Sequence, residues 1–256
     1  MTALAPGGVR PMTIEDEVLA ALATVVDPEL DEPITDLNFV RSIVIDDVGV
    51  TVHLRLPTSF CSPNFAYLMA SDAQDALHRI DDAGLVRVIL DDHHDSDKIN
   101  AGLAAEAGYV GTFGVEADEG LDDLREIFVR KAHTAAMERC VSDLLARGEV
   151  SIGDIAHLTL RDLPPGPKKA ALMRRRVNAG LSLCPNSHVL VDEDGRPVPA
   201  DDVAMHLRFA RSVRISIEGN GHFCRGLLAT RYADDADCDG RSGPVVTNRR
   251  SERSAS

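Results

Sequence analysis

Leu56-Pro57-Thr58-Ser59-Phe60-Cys61-Ser62-Pro63 is the stretch whose reading decides the fold. It closes one predicted strand and opens an amphipathic helix. Working back, Gly49 to Leu56 alternates, with Val50, Val52, Leu54 and Leu56 on one face, and Val40 to Asp46 is a second β-branched run. Asp46, Asp47 and Val48 separate the two runs, so they read as a hairpin. Upstream, Ile14, Val18, Leu22 and Val25 recur at helical spacing after Thr13, a candidate N-cap with Asp16 as its capping-box partner. Downstream, Phe65, Leu68, Met69, Ala73, Ala76, Leu77 and Ile80 form an apolar stripe, and Gly84 precedes the short run Val86 to Leu90. The expected module is a small mixed sheet covered by helices, and the fold class is α+β.

Within that module Cys61 carries the most chemistry. A thiol at a helix N-terminus meets amide groups that favour the thiolate, the form that attacks electrophiles and binds metals. The residues alone leave a plainer reading open. Asp27-Pro28 can be a helix-terminating turn, Asp36 a side-chain cap and Cys61 a half-buried thiol.

The order of short motifs resembles a known family. Asp27-Pro28-Glu29, the Asp36-Leu37 turn, two strands and then Thr58 shortly before Cys61 are similar to the iron–sulfur cluster assembly factor family of SufT, PaaD and the eukaryotic cytosolic iron–sulfur targeting proteins. The match covers roughly residues 14 to 91. Asn38 stands where the family has a turn glycine, and asparagine is the next-best residue for a positive φ. Ser62 separates Cys61 from Pro63, where the family has Cys-Pro. The resemblance implies an accessory protein, a maturation factor rather than an enzyme, that delivers iron or an iron–sulfur cluster to a client. Cys61 would be the transient thiolate ligand, with Asp27, Glu29, Asp36 and Thr58 beside it in the transfer site. Extended bacterial members of this kind tend to accompany multicomponent oxygenases, so the implied client is a binuclear-iron monooxygenase.

Composition bounds the rest. With 256 residues, 44% of them hydrophobic, the chain can bury a substantial core and holds two units. No apolar run approaches the roughly 20 residues needed to span a bilayer, and the N-terminus lacks the basic-then-apolar order of a secretion signal. A cytoplasmic location without membrane partners is the expectation. Five cysteines spread over a long chain argue for reduced thiols or metal ligands rather than a disulfide framework. A formal net charge of −14 disfavours binding to nucleic acid. Exposed edges of a small sheet make a homodimer conceivable.

After the matched region comes Asp91-Asp92-His93-His94-Asp95-Ser96-Asp97. His93, His94 and the carboxylates can ligate iron. The alternative is a helix N-terminus, with Asp95 or Ser96 capping and acids in the first turn. Gly108, Gly111 and Gly114 lie in a segment read as a linker. A long helix is expected from about Leu121 to Leu145, stopped by Gly148, and a basic helix over Lys168 to Ala179.

Further on, Cys184 and His188 form a Cys-x-x-x-His pair, and His222 and Cys224 a His-x-Cys pair after a Gly-Asn-Gly turn. Two thiolates and two imidazoles suit tetrahedral zinc, and a partly open version suits iron. The other reading has both cysteines as small buried apolar residues. Asp201 to Arg211 reads as helix, Val213 to Ile217 and Phe223 to Thr230 as strands, giving a second α/β unit. A metalloenzyme built on Cys184, His188, His222 and Cys224, and an interaction scaffold, are the competing functional classes. The expected organisation is a flexible start (1–12), the assembly-factor-like domain (13–92), a linker (93–120), a C-terminal domain (121–232) and a disordered tail (233–256) that contains Cys238.

Overall fold

The computed structural model describes residues 12–117, 121–233 and 243–250. By its internal contacts the chain divides into two units: Met1–Asp27 with Glu32–Ala117 and Leu227–Ser256, and Pro28–Asp31 with Asp118–Gly226.

The first unit opens with α1 (Ile14–Leu22), started by the expected capping box. Asp16 N–H donates to Thr13 Oγ1 at 3.2 Å, and Thr13 N–H donates to Asp16 Oδ2 at 3.0 Å. Two short strands follow, β1 (Val26–Asp27) and β2 (Glu32–Pro33), paired antiparallel. The turn after β2 passes through Asn38 at φ 58°, the left-handed conformation that asparagine tolerates in place of glycine. The hairpin strands are β3 (Val40–Ile45) and β4 (Gly49–Leu54), and after α2 (Pro63–His78) the chain enters β5 (Leu85–Leu90). β4 pairs antiparallel with β3 and parallel with β5. Gly49 is needed at that second seam, because a Cβ there would lie 2.1 Å from the Leu85 carbonyl oxygen. Val18, Leu22, Ile43, Val50, Val52, Ala73 and Leu77 are fully buried, joining α1, α2 and one sheet face in a single core.

Residues 93–120, expected as a linker, contain α3 (Ser96–Ala104) and α4 (Gly108–Phe113). The glycine spacing hid a helical pair: Tyr109 and Phe113, four apart, pack with Tyr67 of α2 at centroid distances of 5.5 and 6.0 Å. At the other end of the chain, β6 (Val245–Asn248) pairs in parallel with β3, giving the sheet order β5-β4-β3-β6. A tail was expected there. What secures the strand is Arg250, whose guanidinium donates to the carbonyls of Asp46 and Ala83, a contact across more than 160 residues. Cys238 lies outside the described residues.

The second unit is built on α5 (Leu121–Ala146), α6 (Pro167–Asn178) and α7 (Val203–Arg231), the last belonging to this unit as far as Gly226. Gly148 at φ +69° ends α5, as expected, with its N–H bonded to Leu145 O. Met137, Val141, Leu144, Ile155, Leu160, Leu172 and Val189 form the core. Isolated bridges, Thr159 to His188 and Val191 to Pro197, supply its extended pairing. The strands expected at 213–217 and 223–230 are instead continuous helix within α7. Val213, Ile215 and Ile217 mimic strand alternation, yet the Gly-Asn-Gly that seemed to divide two strands contains no proline and does not interrupt a helix. At Gly219 nothing lies within 4 Å of where a Cβ would be, so that glycine meets no special steric need.

Candidate functional site

The loop between β4 and α2 presents Cys61, half-buried, immediately before the N-cap residue Ser62 and with Pro63 as the first helical residue. Its shape comes from Thr58. Phe60 N–H donates to Thr58 Oγ1 at 3.1 Å, a hydroxyl-closed turn. Thr58 Oγ1 also lies 3.6 Å from Cys61 Sγ, a contact in which either the hydroxyl or the thiol can donate and a thiolate would only accept.

His93 supports the same loop. Asp95 N–H donates to His93 Nδ1 at 3.1 Å, so Nδ1 is the acceptor and the ring proton sits on Nε2. Nε2–H then donates to the Cys61 carbonyl at 2.8 Å. His93 is 6% exposed and both ring nitrogens are engaged, so it positions the loop. His94 is exposed; its N–H donates to Ser59 O at 2.9 Å, and its ring lies 5.9 Å from that of Phe60. Phe60 itself is 82% exposed beside Cys61. The run 91–97 therefore serves as the approach to α3, with Asp95 at the N-cap position.

A third support was not legible in the sequence. Arg231, the last residue of α7 and part of the first unit, donates from Nη1 to Leu56 O at 3.0 Å and from Nη2 to Ser59 Oγ at 2.8 Å and to Asp92 O. One guanidinium thus ties the stretch before Cys61, at Leu56 and Ser59, to the segment that follows β5, at Asp92. Hydrogen bonds from a charged donor contribute about 1.5–3 kcal/mol. Arg231→Met is therefore expected to loosen the loop and speed alkylation of Cys61 by iodoacetamide several-fold, read by mass spectrometry of the Cys61 peptide. An unchanged rate would mean that the loop holds its shape without the arginine.

The remaining expected residues are placed elsewhere. Asp27 is buried in β1, Asp36 is exposed with Thr35 Oγ1 donating to it at 3.4 Å, and Glu29 accepts from Asn220 Nδ2 at 3.1 Å within the second unit. Cys184 and His188 lie on the segment after α6, whereas His222 and Cys224 are on α7. Two residues apart on a helix point roughly 200° apart. His222 and Cys224 therefore do not face one way, as a His-x-Cys pair on the expected strand would have. Among the described residues, no three of His, Cys, Asp and Glu come together as a potential metal-ligand set. Cys140, the remaining described cysteine, is buried in α5, and burial pushes its thiol up to about 11. No helix among the described residues is long and apolar enough to cross a membrane.

Comparison with known proteins bears on the same region. A family model described as iron-sulfur cluster assembly protein matches residues 15–88, which run from the start of α1 into β5. An uncharacterised protein of Methanocaldococcus jannaschii is 31% identical over 90 residues, spanning 35% of this chain and 93% of that protein. No solved structure gives a significant match. The second unit lies outside the family match. Through its N-terminal region the chain belongs to the iron–sulfur cluster assembly protein family, the region in which the Cys61 loop is built.

Proposed function

We propose that the N-terminal unit accepts iron or an iron–sulfur cluster on the Cys61 thiolate and passes it to a client metalloenzyme. The observation that carries this reading is the Cys61 loop itself, in which a half-buried cysteine faces the Thr58 hydroxyl and the loop is braced by His93 and Arg231. A ligand that must both bind and release cargo is better served by one thiolate than by a closed four-ligand cage, because the remaining coordination positions stay available to donor and client. The exposed Phe60 offers a client an apolar anchor next to the sulfur. Asp36, exposed in the turn before β3, adds weak carboxylate ligation. A binuclear-iron monooxygenase is the client class to which the family resemblance leads, and the cytoplasm the compartment in which a reduced thiol persists.

The test is anaerobic reconstitution with ferrous iron and sulfide, followed by transfer to an apo iron–sulfur protein. Wild type is expected to develop thiolate-to-iron charge-transfer absorption and to activate the acceptor, and Cys61→Ser to do neither while keeping its fold by circular dichroism. Equal transfer by Cys61→Ser would overturn the assignment of that residue.

A further inference from the structure

The second unit contains a cleft of about 490 Å³, a size that suits a small organic molecule. One face of α5 supplies Arg125, Val129, Arg130 and His133; the end of α6, the segment Val191–Glu193 and the α7 residues His206 and Phe209 complete it. Two features are left unexplained by the fold, one in the cleft lining and one, Arg176, on α6 just outside it.

The first is His133. It is 4% exposed, it lines the cleft, and its Nε2 has no hydrogen-bond partner. A buried polar atom without a partner is uncommon and destabilising, so it points to a group that arrives from outside. The second is Arg176, 1% exposed, whose Nε donates to Ser182 O at 2.8 Å and whose Nη1 donates to His188 O at 3.1 Å. Among the described residues no carboxylate lies within ion-pair distance of it. Buried charges are ordinarily paired, and this one is met only by carbonyls. Its field reaches the cleft, since it is one of the influences that disfavour a charged His133, after burial itself. Burial resists a charge of either sign, whereas the Arg176 charge resists a cation alone and favours an anion.

The acidic residues around the cleft act on His206, where Asp192 and Glu193 favour a positive ring, and no carboxylate is among the influences on His133. Glu126 and Glu193 share Arg130, at 2.5 and 3.3 Å, and Asp192 Oδ1 accepts the N–H groups of Asp194 and Arg196. Val129, Leu181, Val191 and Phe209 give the same space apolar walls. A more open hollow over Val198, Pro199, Asp202 and Met205 shares Asp192, His206 and Phe209 with it.

We propose that this cleft binds a small organic monocarboxylate, its carboxylate turned toward His133 on the Arg176 side and its apolar body lying along Val129, Val191 and Phe209. A lone ordered water would satisfy His133 but would answer neither the size of the cleft nor the unpaired Arg176. The inference is independent of the role of Cys61.

The probe is benzoate, with benzamide as its uncharged counterpart of the same shape. Side-chain NMR of histidine-labelled full-length protein should show the His133 resonances shifting saturably with benzoate, at least about tenfold more weakly with benzamide. His133→Phe should abolish the saturable heat of benzoate binding measured by calorimetry. Equal binding of the acid and the amide by wild type would overturn the proposal even if the variant failed to fold. So would benzoate binding that survives in His133→Phe, or the absence of any saturable shift.

Discussion

Arg214→Leu is expected to destabilise the protein by about 3–5 kcal/mol, the usual consequence of stranding one member of a buried ion pair. Glu138 is the member left behind. Its side chain is 2% exposed on α5, and its Oε2 accepts from Arg214 Nε on α7. Oε1 accepts from the Ser142 hydroxyl at 2.6 Å, which cannot replace a full positive charge. Arg214 also holds Glu218 one turn along α7 at 2.6 Å, and Glu218 in turn accepts from Arg139 at 3.1 Å. The chain of contacts fixes the register of α5 against α7. Its exposed members add little, since surface pairs contribute about 0–1 kcal/mol. Removing both partners in Glu138→Leu, Arg214→Leu should recover most of the loss, because no unpaired charge then remains buried. Urea denaturation of the two single variants and the double variant makes the cycle. If the double variant is as unstable as the sum of the singles, the pair is not the coupled unit described here.

How much of this was legible depended on how local the determinants are. The capping box at Thr13, the left-handed Asn38 and the Gly148 helix stop each rest on residues within four positions, and each was readable. The hairpin was readable for the same reason: alternation at Val50, Val52 and Leu54 requires one buried face. Failures came where distant contacts override local pattern. Val213–Ile217 alternates like a strand, but Arg214 and Glu218 act as a helical pair one turn apart, and Ile217 is buried while Ile215 is exposed. Val245–Asn248 has no apolar face to advertise, with three of its four residues exposed, and owes its pairing to Arg250. At the candidate site, Cys61 could be picked out from its place before a helix, and Thr58 from the family resemblance. His93 was recognised as chemically able but its role was not, since the carbonyl it holds is 32 residues away. Arg231 could not be found at all, because its acceptors lie 139 to 175 residues distant.

Acidification from pH 7 to pH 4 should weaken the second unit by about 3 kcal/mol through His133 alone. Burial, then Arg176, then His206 depress its pKa from 6.5 to about 4. The sign follows from counting protons. Above pH 6.5 the ring is neutral in both folded and unfolded chains, and pH has no effect through it. Between 6.5 and 4 the unfolded chain takes up a proton that the folded chain refuses, so stability falls at about 1.4 kcal/mol per pH unit. Below 4 both forms are charged and the loss levels off. His206, lowered chiefly by burial and raised in opposition by Asp192 and Glu193, acts in the same direction. The carboxylates of Asp154 and Asp162 are held below their ordinary range by hydrogen bonds from Ser151 and Thr159, so their contribution is lost only at lower pH. The two windows can therefore be told apart. His133→Leu, which also removes the unpartnered Nε2, should reduce the dependence of the urea midpoint between pH 6.5 and 4.5 to the part that His206 contributes, while leaving the fall below it. Parallel curves for wild type and variant across that interval would mean that the ring is not buried in its neutral form. A carboxylate ligand in the cleft would raise the pKa of His133 and shrink the same window. The pH profile of stability, with and without benzoate, thus reads the occupancy of the cleft through the charge of the residue that lines it.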